Sequence, residues 1–438
     1  MKIFGNKKRI FGILFIVLIF SNLILIATGF SEKEAYKVVY KIVYLEIYAA
    51  LSFITFWISK SWLCNLTLSW IYYTISALGP LFISEQYFQV YNPFVVFLLT
   101  YALMLLGYYI VGISSHKLAF PRLKYIKATR IRLSWKTILY ALFCFSTLLC
   151  CIYVFKNRAL LFGGALEDGR VSAMAGNGVL LYGIQLYILT IPLMFMMFLQ
   201  KKITWYVFSP LTIIAGGGML MLGYRTPAFV MLILLLIIAV RVDLINLRKS
   251  INLAIVLFVF AMIFEVFRSG QAVDSMFSAV LDRFSARFGV SAVNTSYVFS
   301  TFPARVPFQH GYSNVIDLIM LLPGPGDDFS MWLKKMVGIS FSGGGLAAPI
   351  QCSFYIDFGY PGMFIGMFFL GVFKRYIDDW SYSRGEISFW QIYLPYAFIM
   401  SGGCITDAFI LPGVFFIVYY FIMIFANHEL RIPLKEKR

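Results

Sequence analysis

The feature that most constrains this chain is a succession of apolar runs separated by short charged or turn-forming breaks. Each run approaches the ~20 residues that a helix needs to cross a bilayer core. In lipid no water is present to satisfy peptide groups, so each run must fold as a helix that pairs its N–H and C=O groups internally. The runs predict twelve helices, near 10–28, 42–59, 62–83, 94–113, 137–155, 179–199, 203–222, 227–240, 251–267, 351–373, 387–403 and 408–426. The expected class is an all-α polytopic membrane protein, one transmembrane domain over residues 1–438. Composition agrees, at 61% hydrophobic and 13% charged, where a soluble chain carries roughly 25% charged residues. The first run follows "MKIFGNKKR" and is not followed by a small-residue cleavage site, so it reads as a retained anchor.

Orientation follows from lysine and arginine placement. With both termini in the cytoplasm, the segments 1–9, Lys60, 114–136, 200–202, 241–250, 374–386 and 427–438 are cytoplasmic and hold 24 of the 37 basic residues. The loop 114–136 alone contributes seven. This bias accounts for the net charge of +17 without a nucleic-acid partner, and no nucleic-acid motif occurs. The six cysteines, Cys64, Cys144, Cys150, Cys151, Cys352 and Cys404, lie in or beside apolar runs without ligand spacing, and read as buried free thiols. With only three histidines, no metal site or cofactor is expected.

The same alternation leaves one large external segment, residues 268–350, between the ninth and tenth spans. Within it Phe277, Val280, Leu281, Phe284 and Phe288 fall on one helical stripe, flanked by Arg283 and Arg287. Such a helix suits either the membrane interface or a dock on the bundle. "LLPGPGDDF" (321–329) reads as a turn-rich break, and "SFSGGGLAAP" (340–349) as a flexible loop.

Seven arginines stand on the outer side against the topological bias: Arg158, Arg170, Arg225, Arg268, Arg283, Arg287 and Arg305. A guanidinium presents a planar fork of donors that matches phosphate and carboxylate. The group therefore suggests an anionic ligand at the outer membrane boundary, where a lipid-linked diphosphate would sit. Arg225 lies in the short turn "GYRTP" (223–227), between Gly223 and Pro227, and either binds such a ligand or snorkels to headgroups. His310, in "ARVPFQHGYSN" (304–314), is the one outer histidine and can take a proton near neutral pH. Asp357, at the start of the tenth span, is an intramembrane carboxylate and hence a functional candidate or the partner of an arginine. Glu265 and Arg268, three residues apart, read as a local ion pair.

Twelve spans, a dominant outer loop before the tenth and an arginine turn near the middle resemble the O-antigen (oligosaccharide repeat-unit) polymerases, the Wzy-type enzymes. "YIDFGYPG" (355–362) is similar to the Tyr-x-Asn-Phe-Gly-x-x-Gly of many such proteins, and "HGYSNVIDLIMLLPGPGDD" (310–328) to their segment leading to a proline turn. Of their Arg-x10-Gly pattern, Arg158 to Gly169 matches, whereas no arginine of the large loop does; Ser353 stands where relatives carry Glu.

The resemblance implies a GT-C-like fold of the C-type membrane glycosyltransferase superfamily, in a bacterial inner membrane with its site on the periplasmic side. It implies polymerisation of undecaprenyl-diphosphate-linked oligosaccharide repeat units, with His310 or Asp357 as base and no metal. Arg158, Arg170, Arg225, Arg283, Arg287, Arg305 and Tyr355 would bind the diphosphate and glycan. The implied partners are the lipid-linked oligosaccharide, membrane lipids and a chain-length regulator protein. Two alternatives stand beside it: an O-antigen ligase with the same chemistry, and a flippase or transporter of lipid-linked glycans.

Overall fold

A computed structural model describes residues 34–59, 63–83, 90–113, 133–161, 177–220, 226–246, 249, 252–253, 256, 276–319, 327–340, 345–381, 386–400, 407–426 and 430–433. The expected spans 10–28 and 251–267 fall outside these residues almost entirely, as do Cys404 and the Glu265–Arg268 pair.

The chain is mostly helical. In order, the described elements are α1 (Glu34–Ile58), α2 (Asn65–Leu78), α3 (Thr100–Ile113, entered through a π-helical turn, Phe94–Leu99), α4 (Trp135–Lys156), α5 (Gly178–Gln185) and α6 (Tyr187–Leu199). There follow α7 (Trp205–Leu220), α8 (Thr226–Arg241), α9 (Met276–Thr301), α10 (Phe329–Val337), α11 (Ile350–Ser381), α12 (Trp390–Met400) and α13 (Asp407–Ala426). Two short strands, β1 (Glu386–Ser388) and β2 (Arg431–Pro433), pair antiparallel with Ile387 opposite Ile432 and fasten the chain's last described residues to the α11–α12 connection.

Five helices among the described residues are long and apolar enough to cross a membrane: Tyr40–Ile58, Phe94–Ile113, Trp135–Lys156, Val179–Leu199 and Ile350–Ser381. Trp205–Leu220 and Pro227–Arg241 are shorter apolar helices. Their outer faces carry large bare side chains, among them Phe53, Leu148, Phe155, Ile213 and Phe369. Apolar groups presented outward on helix after helix suit lipid, as an all-α membrane protein requires. The thiols of Cys64, Cys150 and Cys352 are buried as expected, but Cys144 and Cys151 are exposed on α4. This corrects the reading of all cysteines as buried; a thiol is a small hydrophobe and loses nothing by facing lipid.

Among the described residues two large apolar cores form, with a small third cluster at Ile377. One joins α4–α8 with α12 and α13; the other joins α1–α3 with α9–α11. Helix directions follow from the contacts. Tyr44 donates to the carbonyl of Ala77, Tyr48 meets Thr74, and Trp70 donates to Ser52, so α1 and α2 run antiparallel. Helices α3 and α11 run parallel: Gln351 and Phe97 both bond Tyr73 at one end, and Tyr108 reaches Asp378 at the other. Their backbones touch because both surfaces carry glycine. A methyl group on Gly107 would strike the Phe368 carbonyl, and one on Gly371 the Met104 carbonyl, the small-residue device of helix packing in lipid.

Helix α11 corrects one expectation. The tenth span was expected to end at 373, but the helix continues to Ser381. Lys374 and Asp378 did not end it because both are buried and bonded. The Lys374 ammonium donates to Asn65 Oδ1 (3.0 Å) and Ser69 Oγ (2.7 Å). The Asp378 carboxylate accepts from the N–H groups of Asn65 and Leu66 and from the Tyr108 hydroxyl. The Cys64 thiol, at the N-cap of α2, meets the Thr67 hydroxyl and gives no cap bond to the first N–H groups of the helix. Asp378 therefore caps α2 from another helix, placing a carboxylate where orphan N–H groups and the positive end of the dipole favour it. At the same end Arg241 donates to Ser381 and to the Gln391 carbonyl, joining α8 to α11 and α12.

Candidate functional site

A break in α11 at Gly359 builds the site. Gly359 adopts φ 66°, ψ −157°, inside a run that is otherwise helical. Only glycine enters that region without severe strain. Two residues later Pro361 lacks an N–H, so the Asp357 carbonyl has no partner one turn onward. The bend at Gly359 likewise frees the Ile356 carbonyl. Both are satisfied from outside the helix. Gln309 N–H donates to Ile356 O (2.9 Å) and His310 N–H to Asp357 O (3.1 Å). The loop after α9 is thereby laid against the break.

That loop is shaped locally. The N–H groups of Arg305 and Val306 return to the Thr301 carbonyl at 2.7 and 3.1 Å, closing the end of α9. Tyr355 lies under the turn: its ring stacks on Phe299 at 3.9 Å and its hydroxyl donates to the Phe302 carbonyl. His310 (φ 51°) and Gly311 (φ 100°) are both left-handed. For a histidine such backbone costs on the order of 1–3 kcal/mol and persists only where surrounding bonds impose it. The imposing bonds come from the next turn, Tyr312–Asn314. Ser313 N–H donates to Asp357 Oδ1 (3.0 Å) and Asn314 Nδ2 to Asp357 Oδ2 (2.7 Å). Ser353 Oγ donates to Asn314 Oδ1, and Ser313 Oγ to the Ser353 carbonyl.

The result is an exposed imidazole on a buried frame. The His310 ring meets the Phe358 ring edge-on, with centroids 6.3 Å apart. Asp357 beneath it is wholly buried. Asp317 and Asp328 extend the frame. Asp317 accepts from Phe329 N–H, and Asp328 caps α10 through Met331 N–H. Tyr312 packs edge-on against Trp332 of α10. The described residues of the segment 268–350 are therefore held by specific bonds. From Phe288 onward α9 lies against the bundle: Ser291 meets Ser76, Tyr91 donates to the Ala292 carbonyl, and Asn294 holds the Ala347 carbonyl. Of the stripe, Phe288 is buried against Phe82, and the side chains of Phe277, Val280, Leu281 and Phe284 lie outside the described ones.

The structure brings His310, Asp357 and Tyr355 together, with Arg305 exposed on the same loop. Arg158 stands elsewhere, beyond the end of α4, its guanidinium over the Phe155 ring at 5.1 Å. Arg283 and Arg287 occupy backbone positions in α9 and their side chains lie outside the description. Arg170, Arg225 and Arg268 lie outside the described residues, as do "GGG" positions 343 and 344 and the proline turn 321–326. Sequence reasoning missed Ser313, Asn314 and Ser353. The available signal was Pro361 four residues after Asp357, which announces an unpaired carbonyl and a neighbour that must supply a donor. Comparison of the chain with protein-family models, with curated proteins and with solved structures returned no match.

Proposed function

We propose that this protein is a glycosyltransferase that polymerises undecaprenyl-diphosphate-linked oligosaccharide repeat units into a surface polysaccharide. In this reading it works in a bacterial inner membrane with its site on the periplasmic side. The observation that carries the reading is His310, an exposed imidazole held in a left-handed backbone on a buried polar frame, with Arg305 five residues before it. Backbone strain maintained around an exposed acid–base group is characteristic of sites that must present that group in one orientation.

The chemistry is displacement at an anomeric carbon. A hydroxyl of the incoming repeat unit attacks that carbon and a new C–O bond forms. His310 takes the hydroxyl proton, and the bond from the anomeric carbon to the lipid diphosphate breaks. The electron pair leaves with the diphosphate. Arg305 and the other outer arginines, Arg158, Arg170, Arg225, Arg283 and Arg287, are the groups to stabilise charge on that leaving group. Tyr355 supports the loop from below, so its part is structural rather than contact with the glycan. Burial of Asp357 favours His310 as the base, since an acceptor hydroxyl must reach it.

The test is a deletion strain whose lipopolysaccharide is resolved by gel. Retention of a single repeat with loss of the ladder supports a polymerase. Complete loss of O-antigen from the core overturns that reading in favour of a ligase or a flippase.

A further inference from the structure

We propose that Asp357 is a positioning residue, which with Asn314 locks the His310 loop onto the break in α11. The proposal rests on the reading of His310 as the base. Three observations converge on Asp357. Its carbonyl accepts the His310 N–H in the place that Pro361 leaves empty. Its two carboxylate oxygens are taken by two consecutive residues of the turn that follows His310, Ser313 and Asn314. Its side chain is wholly buried, so no substrate hydroxyl meets it. One residue thus holds the loop on both sides of the left-handed pair His310–Gly311. A backbone that would relax elsewhere is fixed at both ends, and the imidazole direction is fixed with it.

Asn314 is the matching half. Its Nδ2 donates to the Asp357 carboxylate, which can only accept, and this turns Oδ1 toward Ser353 Oγ, whose hydroxyl is shared with the Ile350 carbonyl. This polarity allows exchange. In Asp357→Asn an amide donor faces the Asn314 donor and the bond is lost. In the double variant Asp357→Asn, Asn314→Asp a carboxylate at 314 accepts from both the amide at 357 and the Ser353 hydroxyl. The hydrogen-bond pattern is restored with the carboxylate moved to the loop. A positioning role survives this exchange; a proton-accepting role for Asp357 does not.

The experiment uses the full chain in lipid nanodiscs, with two readouts. The first is hydrogen exchange of residues 307–316, with 100–113 as an internal control. The second is turnover of an undecaprenyl-diphosphate-linked repeat unit as a function of pH. Asp357→Asn is expected to raise exchange at 309–313 only and to lower kcat by about 100-fold, the effect of misplacing a group by ~1 Å. KM and the acid limb of the pH profile should stay where they are. The double variant is expected to recover protection and most of the turnover. His310→Gln is expected to abolish turnover and leave the exchange of Ser313 unchanged. Unaltered exchange in Asp357→Asn overturns the proposal. So does a double variant that is protected yet as inactive as the single one. If His310→Gln retains full turnover, or the wild-type chain does not polymerise, the functional reading fails, and the exchange data alone decide whether Asp357 pins the loop.

Discussion

The main-chain N–H of His310 donates to the carbonyl of Asp357 at 3.1 Å, occupying the place that Pro361 cannot fill. A helix defect and a loop residue forty-seven positions earlier in the chain are thus two halves of one bond. Everything distinctive about the candidate site depends on that defect.

Gly359 is where the defect can be tested. Its φ of 66° with ψ −157° forbids a side chain, and a Cβ would also lie 3.1 Å from the Phe308 ring. Gly359→Ala is expected to destabilise by about 1–3 kcal/mol, with the loss falling on the 309–314 loop. Thermal unfolding in detergent with site-resolved exchange measures both. A variant as stable as wild type would mean that the break is not fixed by glycine.

At the other end of α11, Lys374 and Asp378 lie one turn apart in a buried, fully bonded cluster. Removing only the acid, in Asp378→Leu, uncaps α2 and leaves the buried ammonium with the neutral partners Asn65 and Ser69 and no counter-charge on the next turn. A cost of about 3–5 kcal/mol is expected. Replacing both, Lys374→Met with Asp378→Leu, is expected to be milder than the single change, because no uncompensated charge remains. Relative expression and unfolding midpoints of the two variants give the comparison, and equal damage would show that capping outweighs the charge.

Arg225→Ala is expected to remove polymerisation while protein level and membrane insertion stay normal. Each charge-assisted bond to a diphosphate contributes about 1.5–3 kcal/mol. Arg225→Lys should rescue partly, since an ammonium keeps the charge and loses the planar fork. A normal polysaccharide ladder from the Ala variant would return Arg225 to a headgroup contact.

Reporter fusions at residues 125 and 310 are expected to give opposite signals, cytoplasmic and periplasmic, from the bias of basic residues. Matching signals would place the His310 loop on the wrong side of the membrane for lipid-linked polymerisation.

Turnover in EDTA is expected to match turnover in its absence, because the outer segments carry arginines and no metal-ligand spacing. Activity lost on chelation and restored by a divalent ion would assign the diphosphate charge to a metal.

Local information made most of the helices legible. The run 94–113 has polar residues at both ends and folds over those residues. The reading went astray at Lys374, because a charge inside an apolar run looks like its end. Its partners Asn65 and Ser69 lie more than three hundred residues away, and no window of sequence shows that they meet. His310 and Asp357 were each visible as unusual residues in their own surroundings. That they meet was not, since the meeting depends on three-dimensional closure of the outer loop on α11. The neutral members of the frame, Ser313, Asn314 and Ser353, carry no signature of their own; the one signal near them is Pro361, four residues after Asp357.

The parallel seam between α3 and α11 sets an order on biogenesis. Met104 and Gly371 are separated by well over two hundred residues of intervening chain, so ribosome and insertion machinery release the first helix long before the second exists. Until Asp378 arrives, the amino end of α2 waits in the bilayer without its carboxylate, and Gly107 presents an unfilled notch to lipid. A chain interrupted before α11 carries the marks of an unfinished membrane protein, in the form of an uncapped helix and an empty groove. Completion of α11 therefore caps α2 and fills the groove in a single event.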